Sequence, residues 1–236
     1  MLFGCLCNVA VAENYLEVKR IENETNMQIN EIKTNFDYYR QLSKDMDKVR
    51  RISHDIKNHL WALGESPNGS KRERYFESIM EELSDFENHY DTGNSFIDNI
   101  LYIKKKEAIE CKIDLDICVS LEEFIIMDDK ELCTIFSNLL DNAIRECKEV
   151  LIEENKESEI ILRTEKKRGF FLISCQNTLR RSQEQYLQGG METTKVDKKN
   201  HGFGIKNIVD TIHKHGGEYS IKINDGVFKF VIIIPL

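Results

Sequence analysis

The sequence predicts an α+β chain, in which an N-terminal helical hairpin precedes a two-layer α/β sandwich. From Ile29 to Leu60, apolar side chains recur every three or four residues, which is the period of an amphipathic helix. After Asn94, helix-like and strand-like stretches alternate along the chain, as they do in two-layer α/β domains. Near the end, Asn224-Asp225-Gly226 separates two strand-like runs, a pattern typical of a β-hairpin.

The first part of the chain is predicted to form helices that pair with a second copy. The apolar seam of the first helix is narrow, so a partner helix is needed to cover it. Turn-forming residues at 65–70 end this helix, and a second helical pattern runs to Tyr90. Two such hairpins form a four-helix bundle, so we expect a homodimer. The seam consists of Ile32, Phe36, Tyr39, Leu42, Met46, Val49, Ile52, Ile56 and Leu60.

Three regions are predicted along the chain. Residues 1–28 are expected to be an N-terminal stub and linker, 29–92 the coiled coil and helical hairpin, and 93–236 the sandwich domain. Within the sandwich, helices are predicted at about 96–110, 129–148 and 204–214, and strands at 113–119, 124–127, 159–164, 169–175, 218–223 and 227–234. The stretch 178–200 is rich in glycine and lysine and has no apolar period. It is expected to be a long, mobile loop, as active-site lids are.

Composition narrows the function and the location. The 236 residues are 41% hydrophobic and 31% charged, which favours a folded chain. A net charge of -8 argues against general nucleic-acid binding. The 7 scattered cysteines are typical of reduced cytoplasmic thiols, with a zinc site at Cys5 and Cys7 as the alternative. The apolar stretch 1–12 is shorter than the roughly 20 residues of a membrane span. We therefore expect a cytoplasmic chain that meets a membrane only through segments it lacks.

The first polar constellation interrupts the apolar seam of the long helix at His54, Asp55 and Asn58. Asn58 follows His54 by one turn and shares its face, while Asp55 is adjacent and can orient or deprotonate the imidazole. A histidine held at one ring nitrogen can attack phosphorus with the other. The alternative is a solvated polar stretch of a coiled coil, which is the interpretation we keep for His59.

The second constellation is a polar stripe on the helix predicted at 129–148. Asn138, Asn142 and Glu146 are spaced four residues apart and line one face. Such oxygen donors suit a hydrated Mg²⁺ with a triphosphate, because Mg²⁺ prefers a few protein oxygens together with water and phosphate. The alternative is an ordinary amphipathic helix.

The third constellation is a pair of glycines, Gly202 and Gly204, where the last helix begins. Glycines leave the backbone N–H groups accessible at the positive end of a helix, and such a site suits phosphate. The alternative is a turn followed by a helix start.

The order of these patterns resembles one family. It runs His54-Asp55-x-x-Asn58, then Thr92-Gly93-Asn94, then the stretches 138–144 and 201–205. Over about 30–236 the chain resembles sensor histidine kinases of the peptide quorum-sensing, accessory-gene-regulator-like type. The second half is similar to the GHKL (Bergerat) superfamily, to which gyrase also belongs. The resemblance implies autophosphorylation of a histidine by ATP and Mg²⁺, then phosphotransfer to the aspartate of a response regulator receiver domain.

The resemblance also implies a role for single residues. His54 matches the phosphoacceptor, Asp55 its acid–base partner, and Asn58 the residue that positions water in the phosphatase reaction. Asn142 matches the asparagine that holds Mg²⁺. The other residues implied in ATP binding are Asn138, Asp141, Lys195, Gly202 and Gly204.

The chain departs from the wider superfamily at the adenine contact. Most members carry a D-x-G-x-G motif, whose aspartate binds the adenine amino group. Here the strand end reads Cys175-Gln176-Asn177-Thr178, and the resemblance implies that Asn177 takes the contact. The membrane helices that precede the kinase core in the family are also missing from this chain.

Three other functions remain open from the sequence. One is a non-catalytic phosphorelay protein with a relic GHKL domain. The second is a GHKL ATPase or serine kinase in which His54 has no role. The third is an inactive partner that pairs with an active kinase. ATP binding and an acid-labile phosphate together distinguish these from a histidine kinase.

Overall fold

The structure, a computed structural model, describes residues 2–64, 90–122, 124, 126–180 and 204–236. Within 2–64, side chains are described for 13–56 and for residue 58. The helices are α1 (Leu2–Gly64), α2 (Ser95–Glu110), α3 (Asp129–Glu154) and α4 (Gly204–His213). The strands are β1 (Asp114–Cys118), β2 (Glu159–Lys167), β3 (Phe170–Thr178), β4 (Glu218–Asn224) and β5 (Val227–Pro235).

The strands form one mixed sheet in the order β1-β2-β3-β5-β4. β1 runs parallel to β2, and the other neighbours are antiparallel. The predicted hairpin between β4 and β5 is confirmed. Its turn residues Asp225 and Gly226 both have positive φ, 51° and 74°, as the two central residues of a type I′ turn require.

Helices α2, α3 and α4 lie on one face of this sheet. Alternate side chains of each strand point toward the helices, which is the pleat of a half-buried sheet. The central strands contribute buried Ile173 and Ile232, which are opposite each other in the register. Ile100, Leu140 and Ile208 meet them from the three helices and are fully buried. The predicted two-layer α/β sandwich is confirmed.

Capping side chains fix where helices α2 and α3 begin. Asp128 and Glu131 form a capping box at the start of α3, as their spacing favours. Asn94 caps α2 by accepting from the N–H groups of the first turn. Glu131 also lies 3.0 Å from His215 Nε2, so the start of α3 is tied to the turn that follows α4.

One predicted strand is wrong. At 124–127, the described residues Phe124, Ile126 and Met127 are not in a strand. Phe124 and Met127 are nevertheless buried, and the Phe124 ring stacks on Phe171 of β3 at 4.1 Å. The apolar run reflects burial against the sheet, which periodicity cannot distinguish from strand pairing.

The long helix α1 differs in two ways from the prediction. It begins at Leu2, so residues 2–28, predicted to be a stub and linker, are helical. Part of its seam packs on its own sandwich domain, since Tyr39 is buried and Phe36 meets Phe96 of α2 edge-on at 5.7 Å. The predicted second arm of the hairpin lies outside the described residues. No helix in the described part of the chain is long and apolar enough to span a membrane.

Candidate functional site

Two carboxamides of the polar stripe lie on the solvent side of α3. The core side chains Phe136, Leu140 and Ile144 face the sheet and are fully or almost fully buried. Asn138 and Asn142 are half-buried on another face, one turn apart. The helix is therefore anchored by its apolar face and presents side-chain oxygen and nitrogen atoms on the other.

The first residue of α4 lies directly against these carboxamides. A Cβ atom added to Gly204 would lie 2.8 Å from Asn138 Oδ1 and 3.3 Å from Asn142 Nδ2, so only glycine permits this approach without a shift. Asn138 Nδ2 donates to the Thr134 carbonyl at 2.7 Å, which restrains the side chain. The structure thus brings together two predicted motifs that are far apart in sequence, at the positive end of α4.

This arrangement fits a phosphate chain and Mg²⁺. The start of α4 offers backbone N–H groups, and the absence of a Cβ at Gly204 lets this helix end lie close to the carboxamides. The carboxamide oxygens are suitable neutral donors to a hard cation that retains water. Asn142 Oδ1 accepts a hydrogen bond from Arg145 Nη2 at 2.7 Å, and this exposed guanidinium adds positive charge beside the site.

Asp141 lies in a different environment from its neighbours. Its carboxylate is 2.5 Å from the Lys104 ammonium of α2. Lys104 is also 2.9 Å from Glu107 and lies over the Tyr39 ring of α1 at 5.7 Å. The resemblance implied that Asp141 lies beside the phosphates, and Tyr39 was predicted only as part of the apolar seam. Lys104 was missed, because a basic run on a helix is typical of a solvated face.

Burial and nearby charges shift the pKa values of both Lys104 and Tyr39. Burial lowers the pKa of the Lys104 ammonium, but the Asp141 carboxylate and Tyr39 outweigh burial, and the pKa is raised above its usual range. Burial, and then the Asp141 charge, raise the pKa of Tyr39 to about 12. Lys104 is therefore a full positive charge at neutral pH, and Tyr39 is a neutral phenol.

Asn177 lies at the end of β3, on the face of the sheet that the helices cover. Its side chain is 6% exposed, and its amide Nδ2 donates to the Thr178 carbonyl at 2.8 Å. The following residues are clamped to α3, because Arg180 Nε donates to Glu146 at 2.9 Å. Glu146, predicted to share the polar stripe, is thus engaged by Arg180 on the Asn177 side of α3.

His54 is 66% exposed on α1, and its polar contacts with other described residues are at Nδ1. Asn58 Nδ2 lies 3.2 Å and Asp55 Oδ1 3.7 Å from this nitrogen. Asn58 Nδ2 can only donate, so its contact makes Nδ1 an acceptor, whereas a proton on Nδ1, which would leave the lone pair on Nε2, would face the Asp55 carboxylate instead. Among the described residues, no hydrogen bond or ion pair joins His54 to α3 or α4.

The helix that carries His54 is attached to α2 one turn earlier. Asn99 is fully buried, donates to Ser43 at 2.7 Å and accepts from Arg50 at 3.0 Å. The structure therefore brings together Asn138, Asn142 and Gly204, and separately His54, Asp55 and Asn58. The predicted site residues Gly202 and Lys195 lie outside the described residues.

A comparison with known protein families covers the segment that holds Asn138, Asn142 and Gly204, but not the helix that carries His54. Residues 127–235 match the family model described as the GHKL domain. The predicted GHKL character is therefore confirmed for the segment that holds α3, α4 and β2 to β5. A search of curated proteins found no match.

Several solved structures of histidine kinases are similar at low identity. The histidine kinase domain of the blue-light activated kinase from Erythrobacter litoralis EL346 is 12% identical, with 85% of this chain and 94% of that chain covered and a TM-score of 0.43. AdeS of Acinetobacter baumannii is 14% identical, with coverages of 78% and 95% and a TM-score of 0.43. Mycobacterial MprB is 16% identical, with coverages of 59% and 91% and a TM-score of 0.40.

Proposed function

We propose that this chain is the core of a sensor histidine kinase, which binds ATP with Mg²⁺ and phosphorylates its own His54. The observation that carries the proposal is the contact of Gly204 with Asn138 and Asn142. It joins a helix start with carboxamide donors inside a segment that matches the GHKL domain. Phosphate and a hydrated cation are the ligands that this pair of features suits.

In the proposed complex, each part of the nucleotide has its own contacts. Asn142 holds Mg²⁺, Asn138 lies beside the phosphates, and backbone N–H groups at Gly204 donate to phosphate oxygens. Bound Mg²⁺ supplies positive charge to the oxygens around the transferred phosphorus. Asn177 recognises the adenine. Gly202 and Lys195 are predicted to add phosphate contacts.

His54 is the proposed nucleophile. Its Nε2 lone pair attacks the γ-phosphorus, an N–P bond forms, the bond to the β–γ bridging oxygen breaks, and ADP leaves with that electron pair. In the reactive state, Asp55 replaces Asn58 as the partner of Nδ1, accepts a hydrogen bond from Nδ1–H and stabilises the charge that the ring gains. Asn58 is proposed to position water when the kinase acts as a phosphatase.

Two protein partners are proposed. Ile29, Ile52 and Ile56 are exposed on α1, and a second copy of the helix would bury them. A homodimer built through α1 would present His54 to a nucleotide domain of the same or the partner subunit.

A response regulator receiver domain would then dock beside His54 and take the phosphoryl group on an aspartate. We also propose a cytoplasmic location and the peptide quorum-sensing type of sensor.

The test is autophosphorylation with γ-labelled ATP and Mg²⁺. Label should be lost in acid, survive base and be absent from His54→Gln. His59→Gln, on the same helix, is the matched control and should keep the label. ATP binding without label would favour the inactive-partner function, and no ATP binding would favour the phosphorelay function. Acid-stable label that persists in His54→Gln would favour a serine kinase.

A further inference from the structure

We propose that Lys104 is a positioning residue for nucleotide binding, because it neutralises Asp141 beside the triphosphate. This inference rests on the proposed ATP-binding function and adds a residue that no motif contains. Lys104 lies on α2, outside the segment that matches the GHKL domain. Its side chain is only 8% exposed, although it carries a charge.

The contacts of Lys104 join three helices. Its ammonium lies 2.5 Å from Asp141 of α3 and 2.9 Å from Glu107 of α2. The Tyr39 ring of α1 covers it and is itself buried. A buried ammonium is stable only with such partners, so the geometry holds Lys104 in one place.

The two carboxylates near Lys104, those of Asp141 and Glu107, differ in how many cations they contact. Lys148 lies 2.9 Å from the second oxygen of Glu107, so Glu107 has a cation of its own. Asp141 has Lys104 as the cation that contacts its carboxylate among the described residues. Loss of Lys104 would therefore leave Asp141, more than Glu107, with an uncompensated charge.

An uncompensated negative charge on Asp141 would affect nucleotide binding because of where Asp141 lies. Asp141 immediately precedes Asn142, and consecutive Cα atoms are about 3.8 Å apart. The triphosphate proposed at Asn142 and Gly204 would therefore lie on a neighbouring face of the same helix, at a separation comparable with a Debye length, about 8 Å at physiological salt. An unpaired carboxylate would repel it, and we expect a loss of about tenfold in affinity, the scale of one charge pair near a protein surface.

The neighbouring lysine provides a matched control. Lys106 lies on the same helix and is exposed, so Lys106→Met changes net charge as much as Lys104→Met does but leaves Asp141 paired. The experiment measures the Kd of the full chain for ATP with Mg²⁺, for ADP with Mg²⁺ and for adenosine. Lys104→Met should weaken ATP about tenfold and ADP less, with adenosine unchanged. Lys106→Met should leave all three within about twofold.

A charge-removing partner change separates electrostatics from structure. The resemblance implies Asp141 in ATP binding, but its carboxylate is paired with Lys104 and has no phosphate contact in the proposed complex. Asp141→Asn alone should therefore bind ATP at least as tightly as the unaltered chain, and Lys104→Met with Asp141→Asn should recover most of the loss. Equal loss for all three ligands, or a tenfold loss in Asp141→Asn, would overturn the inference. If Lys104→Met does not fold, Asp141→Asn and the double variant still decide. Failure of the unaltered chain to bind ATP would instead overturn the proposed function and this inference together.

Discussion

Gly204→Ala tests the contact on which the nucleotide site depends. The new Cβ would lie 2.8 Å from Asn138 Oδ1, closer than side-chain carbons approach oxygen in folded proteins. Asn138 is held by its bond to the Thr134 carbonyl, so it yields at the cost of that hydrogen bond. The alternative is a shift of the start of α4. Either response displaces a group proposed to meet phosphate.

The expected loss is that of one hydrogen bond to a charged group, about 1.5–3 kcal/mol. ATP should therefore bind about 10- to 150-fold more weakly, measured by titration calorimetry with Mg²⁺. Stability should fall much less, because alanine is about 1 kcal/mol better than glycine in a helix and offsets part of the strain. Thermal unfolding without nucleotide measures that second quantity.

Gly169→Ala is the control, since this turn glycine has φ 82° and no atom lies within 4 Å of its added Cβ. It should cost about 1–2 kcal/mol of stability through left-handed strain and leave ATP affinity unchanged. Gly204→Ala is thus expected to lose ATP affinity and little stability, and Gly169→Ala to lose stability and no ATP affinity. Undiminished ATP binding by Gly204→Ala would refute the proposal that α4 begins at the phosphates.

Three further predictions concern the core, the thiols and the docking of α1. Phe230→Ala should lower the free energy of unfolding by about 3–5 kcal/mol in urea titrations, because the ring is 2% exposed between sheet and helices; a loss below about 1 kcal/mol would contradict this. Burial raises the pKa of Cys147 and Cys175 to about 12, so at pH 8 few thiolates form and the fraction rises about tenfold for each pH unit. Iodoacetamide should then label exposed Cys118 and spare both, as mass spectrometry would show, and equal labelling of Cys175 would disprove its burial. Asn99→Ala removes the shared partner of two α1 side chains, so amide hydrogen exchange should speed up in the docked part of α1 and stay unchanged in β2 and β3.

Much of the fold could be predicted because its signals are local. The period of three to four residues in α1, the apolar runs of β3 and β5, and the turn at Asp225-Gly226 each depend on neighbours in the chain. The stripe of Asn138 and Asn142 follows from helix geometry once the helix is recognised. The segment 124–127 could not be assigned this way, because apolar side chains are also buried without strand pairing.

The sequence by itself determined most of the helices and strands, the hairpin turn, and which side chains share a helix face, because backbone geometry relates residues a few positions apart. Only the tertiary structure decided that Gly204 meets Asn138, that Asp141 pairs with Lys104, and that α1 packs on its own sandwich domain. Each of these depends on contacts between distant segments, where packing and charge pairing choose among partners that local patterns leave equivalent.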